Sequence, residues 1–177
     1  MRITLFIAIG LVVLLALYVL TRPDRIHYER SATIQAPPEA IFPRIDDLHR
    51  MGEWSPWEKV DPQMERSYDG PAAGVGAGYH WKGNKDIGEG TMKITGSTPS
   101  REVLIALEFL APFQASNTAT FTLVPGAAGT KVTWAMDGPN PLMSKLIGLV
   151  MNMDEMIGDQ FRKGLDTLKE QVEGGAR

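Results

Sequence analysis

The feature that most constrains the fold is a series of runs in which apolar and polar residues alternate, with turn-forming residues between them. A first strand is predicted at 26–36, and six further strand-like runs cover 64–68, 76–82, 87–96, 102–110, 115–124 and 130–136. The breaks between these runs contain Pro, Gly and Asn, which suit turns and cannot continue a ladder. The pattern therefore predicts an antiparallel meander.

Helical patterns occupy the rest of this region. Two short helices are predicted after the first strand, one with Pro38 near its start and one that begins at Asp46. A long helix is predicted from Ile147, because apolar residues recur at spacings of three, four and seven as far as Val172. The predicted class is α+β, a curved seven-stranded antiparallel sheet wrapped around a long C-terminal helix.

The start of the long helix has two interpretations. In one, a new helix begins after Asn152, which caps it together with Glu155, and Asp154 only favours the positive helix end. In the other, the helix is continuous, Asp154 enters a cavity as its polar group, and Gly158 leaves space for a ligand. A buried carboxylate without a partner is costly, which favours the cap.

Residues 3–20 contain no charged residue and include six Leu, three Ile and three Val. As a helix this run would measure roughly 27 Å, enough to cross a hydrocarbon core. A cleaved signal peptide is the alternative, but the run is long for one and lacks a small-x-small cleavage site. We expect residues 1–22 to be an N-terminal transmembrane anchor and 23–177 to form one domain, in a single-pass membrane protein whose orientation the sequence leaves open.

Composition limits the function of the remaining chain. All 21 acidic residues and 17 of the 18 basic ones follow this run, which gives that part a net charge of −4. A nucleic-acid partner is not expected, since such sites need clustered Lys and Arg. The chain has no Cys, and His27, His49 and His80 show no metal-ligand spacing. We therefore expect no metal, no cofactor and no thiol chemistry.

The order of elements and several short motifs resemble the SRPBCC superfamily of helix-grip proteins, which includes START-like, polyketide cyclase/dehydrase and lipid-transport members. The motifs are WSPW at 54–57, GYHWKGN at 78–84, GEG at 88–90, VTW at 132–134 and GDQFRKGL at 158–165. The resemblance extends from about residue 25 to residue 172. It implies an apolar cavity between the sheet and the terminal helix, which different members use for lipids, sterols, ring closure or client proteins.

Aromatic and methionine residues are the positive signal for a site, because adaptable apolar side chains suit a hydrophobic ligand. For any one of these aromatic residues taken alone, a place in the core is the favoured interpretation, and only the group taken together indicates a site. Gly88 and Gly90 either thin the inner face of the sheet or mark a bulge. The predicted ligand-binding residues are Trp54, Trp57, Tyr79, Trp81, Met92, Phe109, Trp134, Met136, Met151, Asp154, Gly158 and Phe161.

Three functional classes follow. The first, which we favour, is a membrane-anchored module that binds or transfers a hydrophobic molecule such as a lipid, a quinone or a polyketide-like compound. The second is a cyclase/dehydrase-type enzyme, for which Glu89, Asp137 and Asp154 are the only carboxylates placed to act as acid or base. The third is a protein-interaction module at the membrane, with an unknown protein partner. No catalytic residue is assigned, and whether the protein is an enzyme stays open.

Overall fold

A computed structural model describes Phe6, Gly10, residues 13–14 and residues 17–174. Its centre is a seven-stranded antiparallel sheet in the order β1-β7-β6-β5-β4-β3-β2. The strands are β1 (Arg25–Ile34), β2 (Glu65–Asp69), β3 (Gly78–Lys82), β4 (Glu89–Thr98), β5 (Glu102–Ala111), β6 (Ala115–Gly126) and β7 (Gly129–Pro139). All seven predicted strands are present, so the predicted meander is confirmed.

After β1, the described residues contain four α-helices. They are α1 (Pro38–Ile41), α2 (Leu48–Trp54), α3 (Leu142–Ile147) and α4 (Met153–Gly174). Single 3₁₀ turns at Phe42–Arg44 and Pro56–Lys59 follow α1 and α2. Asp47 caps α2 by accepting hydrogen bonds from the amides of His49 and Arg50. The short helices after β1 and the long terminal helix complete the predicted helix-grip fold.

The core lies between the inner face of the sheet and α4. Burial alternates along β6 and β7, so that Phe121 and Trp134 point inward beside each other in neighbouring strands. From α4, Phe161, Leu165 and Leu168 are buried against this face. This apolar stripe is one side of an amphipathic helix, and its burial attaches the helix to the sheet.

The terminal region contains two helices where the sequence pattern predicted one from Ile147. Helix α3 ends at Ile147, and α4 starts at Met153. The Oδ1 of Asn152 accepts a hydrogen bond from the Glu155 amide at 3.3 Å, and its Nδ2 donates to Glu155 Oε2 at 3.1 Å. This arrangement is similar to a capping box, with the side-chain Nδ2 of Asn152 donating in place of its backbone amide. The interpretation with a helix break is therefore the correct one.

The predicted membrane location requires correction. Much of the proposed anchor, residues 3–20, lies outside the described residues, and the last described piece of it is one helical turn at 17–20. Within the part of the chain that the structure describes, no helix is long and apolar enough to cross a membrane.

Candidate functional site

A groove opens at one end of the sheet, where α4 begins. Its volume is about 710 Å³, within the range of cavities that hold small ligands. Its walls come from the start of β1, the turn between β5 and β6, the end of β7, and the segment from α3 to the first turn of α4. The buried apolar stripe of α4 lies beyond this end, because the first buried residue of the helix is Gly158 and the first buried side chain is that of Phe161.

The lining of the groove is mainly apolar. Ile26, Met136 and Ile157 line its sides, and Phe109 and Phe113 line it near the turn between β5 and β6. The ionisable side chains among the described lining residues are Tyr28, Arg22 and Lys145, with no Asp, Glu or His among them. The Lys145 ammonium lies 2.6 Å from Asp24 Oδ1, which holds the pKa of that carboxyl below its usual range.

Three of the predicted ligand-binding residues line this groove, namely Phe109, Met136 and Met151. Four others, Trp54, Trp57, Trp134 and Phe161, form a cluster under α4 instead. The rings of Trp134 and Phe161 stack with centroids 4.4 Å apart, and Trp54 and Trp57 meet Trp134 edge-on at 5.5 and 5.4 Å. These four rings pack on one another, although the sequence pattern predicted that they line a ligand cavity.

Tyr79, Trp81 and Met92 lie in β3 and β4, also outside the groove lining. Gly90 explains how Trp81 fits there, because a Cβ at Gly90 would overlap the indole ring. A register irregularity between Glu89 and Gly90 accompanies this packing. The absence of a side chain at Gly90 therefore makes room for Trp81 and coincides with a bulge. It does not open a cavity for a ligand.

The Tyr79 hydroxyl donates a hydrogen bond to Glu58 Oε1 at 2.7 Å. Arg66 Nε donates to the other oxygen of that carboxylate, also at 2.7 Å. Burial, followed by the bond to the Glu58 carboxylate, raises the pKa of Tyr79 far above its ordinary value. Tyr79 is thus a fully engaged hydrogen-bond donor at a distance from the groove.

Asp154 and Gly158 both contact Arg30 of β1. The Arg30 guanidinium bonds both carboxylate oxygens of Asp154 at 3.2 and 3.0 Å, and its backbone carbonyl at 2.9 Å. These bonds hold the pKa of Asp154 below its usual range. A Cβ at Gly158 would collide with the same guanidinium. The carboxylate therefore pairs with an arginine and does not line the groove.

The other two candidate carboxylates also lie elsewhere. Asp137 accepts a hydrogen bond from His27 Nδ1 at 2.9 Å, and this bond raises the pKa of His27. Glu89 lies 3.3 Å from His80 Nε2. Neither carboxylate lines the groove. Across the described residues, no group of three or more His, Cys, Asp or Glu side chains is arranged to hold a metal ion.

Tyr28 and Asn117, the polar lining residues that come from the strands, are among those that sequence reasoning missed. Sequence reasoning also missed Arg30, although Arg30 has the inward parity of Ile26 and Tyr28 in β1. Asn117 likewise has the inward parity of Ala119 and Phe121. Polar residues at inward positions of a half-buried strand were the available signal.

A family model described as polyketide cyclase/dehydrase and lipid transport matches residues 25–173. The chain belongs to this family. The match includes the whole sheet and nearly all of α4, so the elements that build the groove are those the family shares. The resemblance to the SRPBCC superfamily is therefore confirmed, and the fold is one associated with hydrophobic ligands. No curated protein matches the chain.

Solved structures show the same fold at low sequence identity. Protein MLL2253 from Mesorhizobium loti has a TM-score of 0.61 at 15% identity, over 86% of this chain and 99% of that one. The Aha1 dimer from Colwellia psychrerythraea has a TM-score of 0.58 at 16% identity, over 84% and 96%. Similarity at this level demonstrates a shared fold and carries no function across.

Proposed function

We propose that this protein binds a hydrophobic small molecule, such as a lipid, a quinone or a polyketide-like compound, in the groove between the sheet and the start of α4. The observation that carries the proposal is the groove itself, about 710 Å³ with mainly apolar walls. Burial of apolar ligand surface against such walls is the dominant favourable term for binding. Membership of the family supports the same ligand class.

We propose that the ligand enters the groove on the side formed by α3 and the segment that follows it. Leu142, Met143 and Val150 are exposed there, Val150 at 84% of its surface. Solvent-exposed apolar side chains next to a cavity are typical of a ligand-binding groove. Lys145 links this wall to the start of β1 through Asp24.

A catalytic role has less support from the geometry. Of the three carboxylates considered as acid or base, Asp154 pairs with Arg30 and Asp137 pairs with His27. Glu89 lies beside His80 and Lys82. No observation on the groove favours a particular reaction, so binding is the function we propose.

The proposal is tested by displacement of a neutral fluorescent dye, N-phenyl-1-naphthylamine, together with native mass spectrometry of the purified protein. Met136→Gln should weaken dye binding, because it places a carboxamide in the apolar wall. Met64→Gln is the matched control, since Met64 is 6% exposed and Met136 7%, while only Met136 lines the groove. Both variants should lose stability.

Equal dye affinity in the two folded variants would contradict the proposed site. A wild-type protein that neither binds the dye nor carries a copurified small molecule would contradict the proposed function. Mass spectrometry also tests the ligand class directly, because a bound lipid or quinone adds its own mass to that of the chain.

A further inference from the structure

The sheet forms the floor of the groove, and Tyr28 is the first of the two polar side chains that the described strands contribute to it. Tyr28 lies opposite Met136 in the register of β1 and β7, and it is half-buried. Among the residues that the structure describes, no hydrogen-bond partner is found for its hydroxyl, in contrast to the hydroxyl of Tyr79. Burial, followed by the negative charge of Asp154, raises the pKa of Tyr28. The phenol therefore stays protonated and can donate a hydrogen bond.

The second polar side chain is Asn117 on β6. Its Nδ2 makes only a weak contact with the Sδ of Met136, at 3.7 Å. Its Oδ1 occupies the place of a side chain at residue 138, since a Cβ on Gly138 would overlap it. Gly138 thus leaves space for the carboxamide of Asn117, and this carboxamide can still form hydrogen bonds with a ligand.

Tyr28 and Asn117 flank the same methionine on the groove floor. Neither side chain is charged at neutral pH, and the described lining of the groove contains no acidic residue. Of its two cations, Lys145 is paired with Asp24, and Arg22 donates a hydrogen bond to the Tyr18 hydroxyl and lies over that ring. Beside Tyr28 and Asn117 an ionised ligand group would lose its hydration, and neither side chain supplies a counter-charge, whereas a carbonyl or hydroxyl oxygen could accept a hydrogen bond there.

From this arrangement we propose that the ligand is a neutral apolar molecule bearing a carbonyl or hydroxyl oxygen, and that Tyr28 and Asn117 recognise that oxygen. This inference rests on the proposed function and makes it more specific. Tyr28 is the main specificity residue, because its hydroxyl has no described protein partner to release before it binds a ligand. Polar recognition of this kind discriminates more sharply than apolar contact does.

The test uses two ligands of nearly the same shape, 2-acetylnaphthalene and 2-isopropenylnaphthalene, each competing with N-phenyl-1-naphthylamine. We expect Tyr28→Phe to lower the affinity ratio of ketone to hydrocarbon by about three- to tenfold, the worth of one neutral hydrogen bond. The melting temperature should stay unchanged. Tyr79→Phe is the control, and it should lose stability through Glu58 while the ratio remains as in the wild type.

An unchanged ratio in both Tyr28→Phe and the double variant Tyr28→Phe/Asn117→Leu would overturn this inference, while dye binding would leave the proposed function standing. Tighter binding of 2-naphthoate than of the ketone would also overturn it, since the ligand would then be an anion. Failure of the wild-type protein to bind the dye or any of these compounds would reject both proposals.

Discussion

Replacement of Gly164 by Ala should destabilise the protein, although Gly→Ala in a helix interior usually stabilises. Gly164 lies inside α4 and is buried. A Cβ there would lie 2.8 Å from Trp134 Cζ3 and 3.1 Å from Pro56 Cδ. Carbon atoms in favourable contact are about 3.5–4.0 Å apart. The extra methyl group therefore requires Trp134 or Pro56 to move.

Trp134 has little freedom to move, because rings surround it. Phe161 stacks on it at 4.4 Å, Phe121 lies at 4.8 Å, and Trp54 and Trp57 lie within 5.5 Å. Overpacking of such a core costs about 1–3 kcal/mol. The helix-propensity gain of Gly→Ala returns about 0.5–1 kcal/mol. The expected net loss is about 0–2.5 kcal/mol, at most roughly 5–10 °C in melting temperature.

Gly52 provides the matched control within α2. The nearest atoms to a Cβ at this position are 3.9 Å away, which is ordinary contact. Gly52→Ala should therefore show the propensity gain alone, about 0.5–1 kcal/mol. Both variants are measured by urea and thermal unfolding followed by circular dichroism. The packing argument fails if Gly164→Ala is as stable as Gly52→Ala.

Three further changes test other contacts. Gly158→Ala should lower the melting temperature in the wild type but raise it when Arg30→Ala has removed the guanidinium that the Cβ would meet, and a double-mutant cycle measures this coupling. Asn152→Ala should cost about 1 kcal/mol in urea unfolding, because α4 loses its cap. Asp137→Asn should lower the pKa of His27 toward its ordinary value of 6.5 in an NMR titration. Since the folded-state pKa of His27 is raised, stabilisation by this pair is full below pH 6.5 and is lost as the pH rises through that pKa.

The sequence was informative about the fold because strands and turns are local signals. Alternation along β6 and β7 predicts which side chains point inward, and Pro or Gly in the turns marks where each strand ends. The break before α4 was also open to prediction from Asn152 and Glu155, since a capping box depends on residues three apart. Helix α3 was missed because six residues are too few to show a helical period.

The site was less predictable, because its location depends on which inward side chains fill the space between layers. Trp134 and Phe161 were assigned to a cavity wall on residue type, yet they stack on each other and fill the core. No local pattern shows that two aromatic residues 27 positions apart will meet. Inward polar residues such as Asn117 were the better indicator, since a strand interior accepts them only where a partner or a cavity is available.

The contact between Arg30 and Asp154 explains why the core ends where the groove begins. Phe161 and the apolar residues after it pack α4 directly on the sheet. At the first turn of α4, a guanidinium lies between helix and strand, and three hydrogen bonds of 2.9 to 3.2 Å fix it there. Gly158 leaves the space that this guanidinium occupies. An arginine pair with this geometry holds two elements at a defined separation without filling the volume beside it. Because Tyr28 is two residues from Arg30 on the same face of β1, this polar link sets its distance from α4 and keeps the groove beside it open.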